Sequence, residues 1–264
     1  ADKMPGKLTA PGQCAGFLGE TMAKKMGLRP GIAVSAAIID AHAGVPGAGV
    51  AEPDTLVLVM GTSSCHMLNS RVEKLVPGVA GVAWEGILPG YHGYETGQAA
   101  VGDAFDWCRQ LLGHKDFSKL SEKAALLPPG ADGALCMDWF NGCRTPLMDG
   151  TLRGAFTGLR LGHRPEHLYR SLLEASGFGV KWIADLLSEG GVPVKRFVAT
   201  GGLPNHNPLL VQIYADILGK EILIHPSRQG PALGAAILGV LAAGKQAGFS
   251  SASAAIHAMA KASP

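Results

Sequence analysis

An α/β fold, with a mixed sheet covered by helices on both faces, is predicted by three features of this 264-residue sequence. Two runs, Ile32 to Ile39 and Thr55 to Met60, are almost continuously apolar, the pattern of strands buried on both faces. The stretch 165–189 carries apolar residues at helical spacing, with Pro165 in its first turn and Gly190-Gly191 past its end. A further strand, Arg196 to Thr200, runs into Gly201-Gly202, so strands and helices alternate. Ligands of such sheets gather at the carboxyl ends of the strands, where the Gly-rich turns fall.

Composition narrows the function classes. With 47% hydrophobic and 17% charged residues, the chain holds enough apolar material for a large core. The net charge is +2 and the basic residues are scattered, which argues against a nucleic-acid partner. Five cysteines (Cys14, Cys65, Cys108, Cys136, Cys143) are odd in number, widely spaced and without a CxxC pair. They read as reduced thiols of a cytoplasmic protein, with no disulfide framework and no metal site. The longest apolar run, Pro231 to Gly244, is too short to cross a bilayer, so no membrane partner is expected. Opening on Ala1, without a secretory signal, the chain reads as a fragment or an isolated domain.

Taken in order, residues 1–30 read as a lead-in with a helical stretch near Ala15 to Met26 and a turn at Leu28-Arg29-Pro30-Gly31. The strand Ile32 to Ile39 then delivers Asp40 at its tip, and Ala41-His42-Ala43-Gly44 starts a short helix. Thr55 to Met60 is the second buried strand, returning antiparallel as Cys65 to Leu68 through Gly61-Thr62-Ser63-Ser64. Residues 71–96 read as irregular β structure ending in an aromatic, Gly-rich turn that holds Glu95. Helices are predicted from Gln98 to Leu112 and from Asp116 to Leu127, the latter stopped by Pro128-Pro129-Gly130. Ala134 to Phe140 reads as a strand. In the long helix, a stripe of Leu168, Leu172, Ala175, Phe178, Trp182, Ile183, Leu186 and Leu187 is expected to face the core. A helix at 207–218, a strand from Glu221 to His225, an apolar helix from Gln229-Gly230-Pro231 to Gly244 and a last helix around Ala254 to Ala260 complete the chain.

The sequence contains no GxxxxGK[ST], GxGxxG, HExxH or GxSxG, so a phosphate-binding site here needs another design. Asp40, at one strand tip, and the hydroxyl-rich turn Gly61-Thr62-Ser63-Ser64, at the next, supply a base for an attacking hydroxyl and donors for phosphate oxygens. Each has a plainer reading: Asp40 as a helix N-cap, the turn as a simple hairpin, Gly201-Gly202 as a tight turn. His42 reads as a packing histidine able to line the same cleft, and Glu95 as a solvated loop acid or a sugar-hydroxyl acceptor. Arg144 and Arg153 read as structural or surface charges.

Six ordered blocks carry a resemblance: IIDAHAGVPGAG, VLVMGTSSCHM, KLVPGVAGVAWEGILPGYHGYETGQAAVGDAF, NGCRTPLMDGTLRGAFTGL, ATGGLPNHNPLLVQIYADILG and GPALGAAILGVLAAG. Together they span most of the chain from Gly31 to Gly244. They resemble the C-terminal half of the FGGY family of carbohydrate kinases, most closely its members that phosphorylate L-ribulose. The resemblance implies an actin-like, ribonuclease-H-like ATPase domain over 31–248, followed by a helical tail over 249–264. It implies ATP and Mg²⁺ as cofactors and a pentulose as substrate, phosphorylated at its 5-hydroxyl in the cytoplasm, as in arabinose catabolism. By the same resemblance Asp40 is the catalytic base and touches the sugar, as does Glu95, while Gly61, Thr62, Ser63, Gly102, Gly201, Gly202 and Asn207 hold the nucleotide. The family's N-terminal domain, carrying the other phosphate turn and most sugar contacts, is the expected missing partner. Without it the chain is expected to be inactive or nearly so; homo-oligomerisation is left open. The competing reading is a non-catalytic nucleotide-binding or interaction domain of the same fold.

Overall fold

The computed structural model describes residues 8–227, 229–249 and 251–260. A two-stranded antiparallel sheet, β1 (Cys14–Phe17) with β2 (Ala33–Ser35), flanks helix α1 (Glu20–Met26). There follow α2 (Asp40–Gly47), β3 (Thr55–Met60), β4 (Ser64–Ser70), β5 (Gly81–Trp84), β6 (His92–Gln98), α3 (Gly102–Leu111) and α4 (Ser118–Ala125). A small pair, β7 (Leu135–Met137) and β8 (Ala155–Thr157), precedes the 25-residue helix α5 (Pro165–Glu189). The chain continues through β9 (Arg196–Gly201), α6 (Gly202–His206), α7 (Pro208–Leu218), β10 (Ile222–Ile224), α8 (Gly230–Ala242) and α9 (Ala252–Met259).

The main sheet has six strands in the order β10-β9-β3-β4-β6-β5. β10, β9 and β3 run parallel, and β4, β6 and β5 continue antiparallel, so the sheet is mixed as expected. Successive residues of a strand point to opposite faces, and β3 shows why its sequence is apolar throughout. Leu56, Leu58 and Met60 enter the core beneath α3, α4, α5 and α7, while Val57 and Val59 enter a second core beneath α2, α8 and α9. Helices therefore cover both faces. Ala255 and Ile256 of α9 are fully buried in the second core.

The predicted strand Ile32 to Ile39 is a correction. It shrinks to Ala33–Ser35, pairs with β1 outside the main sheet, and leaves Ile32, Val34 and Ile39 exposed. The physical reason lies in the ladder: β3 already has β9 on one side and β4 on the other, so no place beside it is open. Asp40 is consequently separated from its strand by residues 36–39. The helix expected near Ala15 starts only at Glu20, because β1 occupies Cys14–Phe17. Glu95 is not in a turn; Tyr94 to Gly97 belong to β6, paired with β4 throughout, and the helix expected from Gln98 starts at Gly102.

Helix α5 has the predicted limits but a rotated apolar face. Its buried residues run Tyr169, Leu172, Leu173, Ser176, Val180, Ile183 and Leu187, whereas Phe178 and Trp182 are 60% and 43% exposed. Size misled here. The closest packing is made at small residues: a side chain at Gly177 would stand 2.8 Å from Ile217, and one at Gly179 would stand 2.3 Å from the Gln98 amide.

That contact fixes β6 to α5. The Gln98 Nε2 donates to the Ser176 carbonyl at 2.9 Å and to Asp138 Oδ2 at 3.1 Å. Burial, the dominant cause, raises the Asp138 carboxyl to about 6. The folded state thus disfavours the charged carboxylate, and stability is lost as pH rises from the unfolded value, near 3.8, through about 6. An Asp138→Asn protein keeps the acceptor for Gln98 without the charge. Its unfolding free energy should exceed that of the wild type at pH 7.5 by on the order of 3 kcal/mol, and the gain should fade toward pH 4. Equal gains at both pH values would rule the carboxyl out as the cause.

Candidate active site

The turn between β3 and β4 is closed by the Gly61 N–H, which donates to the Ser63 carbonyl at 2.9 Å. The start of α3 docks on it: the N–H groups of Val101 and Asp103 donate to the Thr62 carbonyl at 2.9 and 3.1 Å, and that of Gly102 to the Gly61 carbonyl at 3.2 Å. Position 102 requires glycine, because a Cβ there would lie 2.5 Å from the Gly61 oxygen. Among the described residues, no side chain hydrogen-bonds to the hydroxyl of Thr62 or Ser63. These hydroxyls are available to a ligand.

Parallel pairing brings the second glycine turn beside the first. β9 runs in register with β3 so that Gly201 sits opposite Met60, and a Cβ on Gly201 would stand 2.3 Å from the Met60 carbonyl. With φ at +105°, Gly201 also adopts a conformation that side chains disfavour. Both turns, and the start of α3, open on one cleft of about 480 Å³ lined by Gly61, Thr62, Gly102, Gly202 and Asn207, with Phe105, Phe117, Tyr169 and Leu203 as apolar walls. Ser63 and Gly201 lie one residue outside that lining. Asn207 has structural partners: its Oδ1 caps α7 by accepting from the Leu210 N–H at 3.1 Å, and its Nδ2 donates to the Tyr169 hydroxyl at 3.0 Å. Asp106, also in the cleft, is held below the usual carboxylate range, chiefly by its hydrogen bond from Arg109.

Asp40 and Glu95 form a second group on the other face of the sheet. Asp40 is the first residue of α2 rather than its cap, Ile39 holding that position; its Oδ1 accepts from the Ala41 N–H at 2.8 Å, and the side chain is exposed. A carboxylate there is favoured by the unpaired N–H groups of the helix start. Helix α2 lies against β3 where Gly44 meets Val59, two residues before Gly61. His42 reaches β6: its Nε2 is 3.2 Å from Glu95 Oε2, and its Nδ1 is 3.1 Å from the Gly86 carbonyl. The other Glu95 oxygen pairs with Arg144 Nη2, and Arg144 Nη1 contacts Cys65 Sγ at 3.5 Å. Arg144 is therefore not a surface charge. Spacing could not have revealed it, since 49 residues separate it from Glu95. Arg153, by contrast, is exposed and donates to the carbonyls of its own turn. No cluster of three or more His, Cys, Asp or Glu side chains suited to a metal occurs among the described residues.

Comparison with known proteins identifies the family and the fold. Residues 56–243 match the family model described as the FGGY family of carbohydrate kinases, C-terminal domain. Ribulokinases of Shouchella clausii and Geobacillus thermodenitrificans are each 47% identical over 258 residues, covering 93% of this chain and 46% of theirs. The chain thus spans about half the length of the curated relatives it matches. Among solved structures, a xylulose kinase from Rhodospirillum rubrum superposes with a TM-score of 0.83 at 26% identity, over 94% of this chain and 50% of that one. A Plasmodium falciparum glycerol kinase with ADP shares the fold at a TM-score of 0.80 and 18% identity, over 97% of this chain and 50% of its own.

The seating of α2 depends on its contact with α8. A Cβ on Gly234 would stand 1.7 Å from the Ala43 carbonyl, and one on Gly47 would stand 1.8 Å from the Gly230 carbonyl. Both neighbours are backbone, so neither can rotate away. Gly234→Ala should destabilise the protein by about 3 kcal/mol despite the better helix propensity of alanine, read as a lowered denaturation midpoint. A neutral or stabilising result would show that the two helices separate without cost.

Proposed function

The chain belongs to the FGGY family of carbohydrate kinases, and on that premise we propose that it supplies the nucleotide-binding half and the general base of an ATP-dependent pentulose kinase. L-ribulose is the favoured substrate, phosphorylated at its 5-hydroxyl. The observation that carries this reading is the single cleft into which three separated segments, 61–62, 102 and 202–207, converge. The 47% identity to proteins named ribulokinase supports the choice of sugar.

The cleft suits a nucleotide on chemical grounds. Its aromatic and aliphatic walls fit a base and ribose, and glycines at 61 and 202 let a ligand approach the backbone closely. Thr62 and Ser63 offer hydroxyls to phosphate oxygens, and Gly201 and Gly202 border the nucleoside. The described residues hold no cluster of side chains suited to a metal, so Mg²⁺ would enter with the nucleotide and would supply charge neutralisation there, while Thr62 and Ser63 hold the phosphates. Asp40 accepts the proton of the attacking hydroxyl, and Glu95 contacts the sugar. Transfer of this kind depends on positioning more than on covalent chemistry, so the chain needs the sugar-holding N-terminal half of its relatives for turnover.

With that half supplied, Asp40→Asn should lower L-ribulose phosphorylation by about 10²- to 10⁴-fold while the Kd for ATP stays nearly unchanged. The 264-residue chain alone should bind ATP weakly and turn over little or no sugar. Robust phosphorylation by the Asp40→Asn variant would overturn the assignment of the base. ATP binding without turnover in the supplemented wild type would favour the non-catalytic nucleotide-binding reading.

A further inference from the structure

We propose that His42 and Arg144 are positioning residues that lock the Glu95 carboxylate and, through it, fix the first turn of α2 on which Asp40 stands; the proposal rests on the function proposed above. Three observations carry it. Both Glu95 oxygens are taken: Oε2 lies 3.2 Å from His42 Nε2, and Oε1 pairs with Arg144 Nη2. A carboxylate gripped at both oxygens has a single orientation, whereas one held at a single oxygen rotates. The charges are half-buried, where the pairing is less screened than at an open surface.

The second observation is the start of α2. Ile39 supplies no side-chain cap, and the Asp40 carboxylate bonds only to the adjacent Ala41 N–H among the described residues, so local capping does not anchor the first turn. Within that turn, whose alanines pack against the second core and α8, His42 supplies the polar side-chain link to another element. Its Nδ1 faces the Gly86 carbonyl at 3.1 Å while its Nε2 faces Glu95, and both partners are acceptors. A neutral ring donates to one of these two acceptors, the tautomer setting which, and either contact ties the first turn of α2 to the region of β5 and β6.

The third is where Arg144 comes from. Its loop is fastened to β6 beyond the end of β5: the Thr145 N–H donates to the Gly97 carbonyl at 3.1 Å, and the Gly97 N–H to Thr145 Oγ1 at 3.3 Å. The loop is braced internally by paired backbone bonds between Cys143 and Asp149, both 2.9 Å. Arg144 thus has a fixed base from which to hold Glu95. The chain of contacts runs from the 143–149 loop through Arg144, Glu95 and His42 to the turn that bears Asp40.

The test uses this chain with the N-terminal half of its relatives, and variants Arg144→Met, Arg144→Lys, His42→Ala and Glu95→Gln. A displaced base costs turnover far more than nucleotide affinity. Arg144→Met and His42→Ala should each lower kcat about 10- to 100-fold, with KM for ATP and melting temperature unchanged. Arg144→Lys should recover part of the loss, and the His42→Ala, Arg144→Met double variant should lose less than the product of the single losses, as members of one unit do. Independently of turnover, the His42 ring nitrogen resonances of the 264-residue chain should shift in Arg144→Met and Glu95→Gln. Wild-type kcat in both single variants, equal rises in both KM values with a lowered melting temperature, or His42 resonances that ignore both changes would overturn the proposal. If Asp40→Asn is itself fully active, the kinase reading fails instead, while the resonance shifts still report whether the lock exists.

Discussion

Backbone approaching backbone is the constraint on which the rest of this structure depends. At several places an element is brought so near its neighbour that a single methyl group would collide with a carbonyl, among them Gly234 with Ala43, Gly102 with Gly61, and Gly201 with Met60. The first seats α2 on α8, the second docks α3 on the β3–β4 turn, and the third presses β9 against the end of β3. Each contact lies within or beside a segment that bears a candidate functional residue. Close approach costs conformational entropy in the unfolded chain and denies the site any side chain of its own. What it provides is a set of main-chain groups and helix starts held rigidly at one end of the sheet, where ligands of such folds are met.

Register converts that closeness into a site. Because β3 and β9 are parallel and aligned residue for residue from Thr55 and Arg196 onward, Gly201 falls opposite Met60 and the two turns that follow lie side by side. A slip of one residue would turn Leu56, Leu58 and Met60 to the wrong core, so the alternation that fills the two cores also fixes the spacing of the two turns. Packing and function share one determinant here. The polar contacts are different in kind: Glu95 with His42 and Arg144, and Gln98 with Asp138 and Ser176, tie β6 to α2, to the 143–149 loop and to α5. Apolar burial alone would leave those attachments free to slide.

Elements whose sequence pattern is self-contained were legible in advance. The strand Thr55 to Met60, its return through the Gly61 turn, the limits of α5 and the turn at Gly201-Gly202 all follow from local periodicity and glycine placement. The failures share a cause. Ile32 to Ile39 looked like a core strand because apolar runs do not disclose whether a ladder position is free. Phe178 and Trp182 looked buried because residue size outweighed the small residues, Ser176 and Gly177, that make the contact. Of the candidate site, the glycine turns were visible as turns, while the roles of Asp40, Glu95 and the nucleotide-side residues came from resemblance. Arg144 was invisible: an ion pair across 49 residues leaves no trace in spacing.

The electrostatics of the cleft bear on how it would hold a polyanion. No Lys or Arg occurs among the residues that line it, and it contains two carboxylates, Asp103 and Asp106, the latter already paired with Arg109. A bare triphosphate entering such a cleft would meet negative side chains and no opposing charge from the lining. Thr62 and Ser63 hydroxyls and the partial positive charge of helix starts would stabilise phosphate oxygens in the function proposed above, each by a fraction of what a full cation does. On the proposed function, this lining would favour a nucleotide whose charge is already partly neutralised over a free one. On the function proposed above, neutralising charge would come with the ligand or from the other half of the protein, and this chain would contribute shape, hydroxyls and oriented backbone.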